Sequence, residues 1–466
     1  VKPIIVITAS DGTNAVANND TTNDATLTVT FTSSKATTNF AASDITVTGG
    51  AISNFAATSS TIYTATFTPS AAGATTIDVA ADKFTDTLGN LNASSTQFKW
   101  TYDNIKPVPS IVVSNKAGTV IANGATTGDD SLHAAISITE PITGFDLSYF
   151  TFTGNGSASD LVSVNDTSKT LKLIASTSGT ITASIPADKI FDLAGNGNEA
   201  ISFTWTYDGT APSVSSVTAL IADGLYIEGQ QIPIALIFTE NVTVVDTPTL
   251  AIPPGPFGYQ VPYASGSGSD TLIFNYVIQE GHNANDLGYS SSSALSLNGG
   301  SIKDSYTNAA NLSLPAPGES GSLSANKNIV IDTSDPIIVI TATNALNENI
   351  PSTSLTNDTP LNLTFTASEP ISGFDQSDIA VSGSAALSEF SATSSTVFTV
   401  KLTPNADEKL TINIPENAAK DVAGNANDAA NEFELTYDGT APAVTIRALN
   451  FAGNAIASGD TTSDDS

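Results

Sequence analysis

Four kinds of acidic position recur in step along this chain, and carboxylates repeated in phase are the residues here that could do chemistry. The first ends an early loop: TTND at Asp24, TTGD at Asp129, LTND at Asp358 and TTSD at Asp464, with YIEGQ offering Glu228 in the one aberrant repeat. The second follows the next hydrophobic run, as Glu140 in ITEP, Glu240 in FTEN and Glu369 in SEPI. The third is a late turn with Asp86, Asp192, Asp304 and Asp421, in patterns such as FDLAGN and KDVAGN. The fourth closes each repeat: Asp103, Asp208, Asp332 and Asp438 each stand four residues before a proline. Carboxylates gathered in one place repel one another unless a cation lies among them. Calcium, which accepts about 6–8 oxygen ligands with tolerant geometry, suits them best. With no cysteine in the chain, there is no thiolate for a softer metal.

The elements that must position these residues come from the intervening sequence. Leu27, Val29 and Phe31 alternate with threonine, as do Leu361, Leu363 and Phe365, and period-two alternation rich in β-branched residues specifies strands with one buried face. Clusters of Gly, Asn, Asp and Ser separate such runs, and no amphipathic helix of normal length is visible. About seven short strands per roughly 100 residues predict an immunoglobulin-like β-sandwich. The closing Asp residues recur 105, 124 and 106 residues apart, a domain-sized period. The expected organisation is all-β, tandem sandwiches arranged head to tail as a rod: 1–104, 105–208, a longer domain with an insertion over 209–332, 333–438, and the incomplete start of a fifth over 439–466. Both ends then fall inside a repeat, as expected of a slice of a longer array or of a subunit completed by its neighbours.

In that topology the early loop and the closing Asp lie at one end of a sandwich, while the Glu and the late-turn Asp lie at the opposite end of the next. The expected junctions are Asp24, Asp103, Glu140 and Asp192; then Asp129, Asp208, Glu240 and Asp304; then Glu228, Asp332, Glu369 and Asp421. The plainer reading of each motif is turn chemistry, since Asp and Asn bond their own backbone and Gly permits positive φ. In the first repeat Lys35 stands where the Glu would be, so that end is expected to hold no metal.

Composition narrows the function further. Fifteen Lys and Arg against 46 Asp and Glu leave a net charge of −31, which excludes nucleic acid and anionic membrane surfaces as natural partners. No apolar run is long enough to span a bilayer, so no membrane insertion is expected in this segment. Absence of Cys and Met suits an oxidising exterior. The two histidines, His133 and His282, have no spaced nucleophile motif around them, so no enzyme is expected.

The motifs TYDGTAP and DLAGN resemble the bacterial Ig-like domains of giant secreted calcium-binding adhesins and biofilm-associated surface proteins. That resemblance implies stacked domains extending a distal binding module at the bacterial cell surface or outside the cell, with calcium rigidifying the junctions. Its partners would be neighbouring Ig-like domains of the same or adjacent chains, and host or biofilm ligands reached through other modules. Two other readings stay open: a self-assembling filament or surface-layer subunit completed by strand donation, and a carbohydrate- or ice-binding module using Phe257, Tyr259 and Tyr263. Lys83, Lys189 and Lys420 beside the late turns also suggest isopeptide cross-links, against a plainer role in neutralising charge.

Overall fold

The computed structural model describes residues 1–253 and 258–461, so Phe257 and Asp464 lie outside the described residues. The chain divides into two compact units, Val1–Ala211 with Ser305–Asn308 and Pro212–Asp304 with Ala309–Ser466, and each holds two β-sandwiches.

The first sandwich shows how the alternating sequence becomes structure. Its strands are β1 (Ile5–Ser10), β2 (Ala15–Val16), β3 (Thr21–Thr22), β4 (Leu27–Ser33), β5 (Ile45–Thr48), β6 (Gly50–Ala57), β7 (Ile62–Pro69), β8 (Gly73–Val79) and β9 (Phe98–Tyr102). They form a five-stranded sheet, β2-β1-β4-β7-β6, facing a four-stranded sheet, β3-β9-β8-β5. Leu27, Val29 and Phe31 point inward with no exposed surface, while Thr28 and Thr32 point out. Phe67 from one sheet meets Trp100 from the other edge to face at 5.8 Å. The same sheet orders recur over Pro109–Tyr207 in the second sandwich and over Ile338–Tyr437 in the fourth.

The strand number exceeds the expected seven because the early loop itself enters the sheet. Thr21 and Thr22 of β3 pair parallel to Thr101 and Tyr102 of β9, and the Asp103 amide donates to the Thr22 carbonyl at 3.0 Å. A polar TTND run gives no alternation signal; its strand character exists only because β9 offers it an edge.

The third sandwich keeps this closing device but enlarges the rest. Gly224–Tyr226 pairs parallel to Ile329–Ile331, and Asp332 follows directly. One 15-residue strand, Gln231–Val245, pairs first with Ser269–Val277 and then, past a register shift, with Ser301–Lys303. A four-residue helix, Leu323–Asn326, packs against Val214–Ala219. Tyr259 and Tyr263 are half-buried against this core, Tyr259 beside Tyr276 and His282 and Tyr263 against Phe274. His282 stacks on Tyr276, whose hydroxyl lies 2.8 Å from Nδ1. Burial lowers the imidazole pKa and pushes the Tyr276 phenol up to about 12. Lys83, Lys189 and Lys420 are exposed, which removes the buried setting a spontaneous isopeptide bond would need.

Candidate metal centre

The late turns are built by their own side chains. In the second sandwich Asp192 Oδ1 accepts the Asn196 amide at 2.8 Å, and its Oδ2 accepts Asn196 Nδ2 at 2.9 Å. Gly195, at φ +91°, supplies the left-handed residue that closes the loop. Two residues on, Asn198 is fully buried: its Oδ1 accepts the Lys189 and Ile190 amides, and its Nδ2 donates to the Pro186 and Glu199 carbonyls. Asn92 makes the matching four bonds in the first sandwich, and in the fourth Asn427 Oδ1 accepts the Ala419 amide while its Nδ2 donates to the Pro415 and Asp428 carbonyls. The sequence signal was present as GNLN, GNGN and GNAN, but a second Asn in a polar turn reads as solvent-exposed until the loop folds around it.

Within the first unit, Asp103, Glu140 and Asp192 bring one carboxylate oxygen each to within 4.8 Å of the others. They come from the linker, the bend after the Ser131–Ile138 strand and the late turn, so the connection and the second sandwich share the cluster. Asn196 Nδ2 also donates to the Asp103 carbonyl at 2.8 Å, tying linker to turn. Glu140 Oε1 is buried and accepts no hydrogen bond from any described residue. Burial, then the charges of Asp103 and Asp192, pushes the Glu140 carboxyl pKa up.

The second unit repeats the arrangement with Asp332, Glu369 and Asp421. Asn425 Nδ2 donates to Asp421 Oδ2 at 2.9 Å and to the Asp332 carbonyl at 3.1 Å. The Glu369 carboxyl is pushed up by burial and then by Asp332, Asp421 and Asp335. Asp335, which the sequence reading passed over because its counterparts are Lys106 and alanine, is itself pushed up by burial, Asp428, Asp421 and Glu280.

Three expected ligands are not in these trios. Asp24 spends Oδ2 on the Thr22 hydroxyl at 2.7 Å, and Asp129 makes the matching contact with Thr127 at 3.3 Å. Each is held to its own loop by a threonine two residues earlier. Glu228 is exposed in the Ile227–Gln230 turn. Of the remaining expected group, Asp208 directly follows the Ile201–Tyr207 strand of the first unit, while Glu240 and Asp304 belong to the second and hold carboxylate oxygens within 4.8 Å of each other.

The first sandwich shows what the geometry accepts. Strand register places Lys35 at the position of Glu140 and Glu369. Its Nζ lies 3.0 Å from Asp86 Oδ2, the late-turn counterpart of Asp192, and also donates to the Val1 carbonyl. Hydrogen bonds from Asn90, joined by Lys35, hold the Asp86 carboxyl pKa well below the usual carboxylate range. A protein-borne cation therefore occupies the place that the other two sites surround with carboxylates.

Residues 7–102 and 332–437 match the family model described as bacterial Ig-like domain. No curated protein matches the chain. Among solved structures, an I-band fragment of titin is 9% identical, with 72% of this chain and 96% of that one covered and a TM-score of 0.26. Invasin, a bacterial integrin-binding protein, is 11% identical over 93% of this chain and 79% of its own, with a TM-score of 0.24. The S-layer protein SbsC is 12% identical over 89% and 64%, with a TM-score of 0.16.

Proposed function

We propose that the chain is a structural extender of a bacterial cell-surface or secreted adhesin, in which calcium held between consecutive Ig-like sandwiches stiffens their joints. The ion would be held by Asp103, Glu140 and Asp192 in one joint and by Asp332, Glu369 and Asp421 in the other. Bound calcium supplies the positive charge that lets linker and turn carboxylates share one space. What supports the reading is the exchange between positions: where Lys35 replaces the glutamate, its ammonium reaches the turn carboxylate, and at Glu140 one carboxylate oxygen is buried with no hydrogen-bond partner among the described residues. The donors are all oxygen, the chemistry of a hard cation. The role is mechanical: the sandwiches supply length, and the joints set how faithfully that length is transmitted to a binding module.

Calorimetric titration of the whole chain with calcium should show uptake of at least two ions, with Kd on the order of 10⁻⁵–10⁻³ M. Asp192→Ala and Asp421→Ala should each remove one ion while every sandwich stays folded by circular dichroism. No heat and no uptake in the parent chain would reduce the acidic motifs to turn chemistry.

A further inference from the structure

The two joints share the same carboxylate trio but not the same metal-free contacts. In the first unit, Asn23 of the early loop reaches across to the late turn of the next sandwich. Its amide donates to the Ala194 carbonyl at 3.1 Å, and its Nδ2 donates to Asn196 Oδ1 at 3.2 Å. Asn196 in turn donates to the Asp103 carbonyl and to Asp192 Oδ2. A methyl group built on Gly195 would come within 3.8 Å of Asn23, so the asparagine lies in van der Waals range over the turn.

Among the described residues the second unit has no such bridge. The place of the TTND loop is taken by Ile227–Gln230, whose hydrogen bonds run to Ile278 and within the turn. A methyl group on Gly424, the counterpart of Gly195, would meet nothing within 4 Å. The linker here is fastened backwards instead: Asn283 Oδ1 accepts the Thr333 amide at 2.7 Å, and its Nδ2 donates to Ser334 Oγ at 2.8 Å. That fixes the linker to the third sandwich; its tie to the fourth is the Asn425 Nδ2 bond to the Asp332 carbonyl, the counterpart of Asn196 on Asp103, with no early-loop contact beside it among the described residues. Asp335 adds a further acidic group beside Glu369.

We infer that Asn23 is a metal-independent latch, so that calcium withdrawal frees the joint of the second unit while the joint of the first stays closed. This rests on the calcium reading above and adds to it: the chain would respond to calcium joint by joint. Asn23 is exposed and outside the carboxylate trio, so replacing it spares both core and ligands. Two hydrogen bonds that need no ion bias the joint toward its closed geometry.

The chain has no cysteine, so spin labels can be placed at will. Full-length protein labelled at Ser70→Cys and Ser176→Cys reports the first joint; Ser292→Cys and Ser384→Cys report the second. In chelator, electron–electron distance measurement should give a narrow distribution for the first pair and a broad one for the second. Asn23→Ala should cost the first pair its narrow distribution in chelator and leave it narrow in millimolar calcium. Equal broadening of both pairs in chelator, or a first pair indifferent to Asn23→Ala, overturns the latch. Calorimetry without calcium uptake would instead overturn the calcium reading, and the chelator measurements alone would still judge Asn23.

Discussion

Replacing Glu369 by lysine should make the joint of the second unit independent of calcium. In the first sandwich Lys35 already holds this position and sets its ammonium 3.0 Å from Asp86. A lysine at 369 has the same strand beneath it, since Ala367 pairs with Ile338 as Ser33 pairs with Ile5. It would face Asp421 and Asp332, an opposite charge for each carboxylate that Glu369 now repels. The change removes one negative charge and adds one positive, and charge-assisted hydrogen bonds of this kind contribute about 1.5–3 kcal/mol. Calorimetry should count one ion fewer per chain, and the Ser292/Ser384 label pair should become narrow in chelator. A pair that stays broad in chelator would show that a fixed cation cannot replace the bound one. Unchanged ion stoichiometry would remove Glu369 from the site.

Asn198→Ala should cost the second sandwich about 3–5 kcal/mol, a large share of the 5–15 kcal/mol typical of a folded domain. The substitution strands two backbone amides and two carbonyls that the Asn198 side chain now satisfies in a fully buried place. Because the 186–199 segment carries Asp192 and Asn196, the loss reaches the candidate metal centre as well as the core. Differential scanning calorimetry should show one transition lowered by more than about 10 °C, while the sandwiches built on Asn92 and Asn427 keep theirs, since each has a separate hydrophobic core. A shift below a few degrees would mean that water replaces the amide, and a loss of cooperativity in every transition would mean that the cores are coupled.

Much of this was legible in the residues themselves. Alternation such as Leu27, Val29 and Phe31 fixes which face of a strand is buried, because side chains on a strand point to opposite sides in turn, and the observed inward faces follow it. The in-phase recurrence of Asp103, Glu140 and Asp192 put them on the ends of elements that a sandwich brings near one another. What local pattern could not decide was the outcome at atomic range. Asp24 and Asp103 are both aspartates at the same end of one sandwich, yet a threonine two residues earlier draws the first into its own loop. Asn23 and Asn198 are ordinary turn residues in the sequence; one became an inter-domain bridge and the other a buried knot only when distant backbone closed around them.

The sequence by itself determined the sandwich, its repetition and the surplus of carboxylates, because these depend on side-chain period, chain length and net charge. Tertiary structure alone decided which of the carboxylates actually share a space and where Asn23 bridges two sandwiches, because both turn on differences of a few ångströms between residues about 40 to 170 positions apart in the chain, where hydrogen bonds and charge repulsion change steeply with distance.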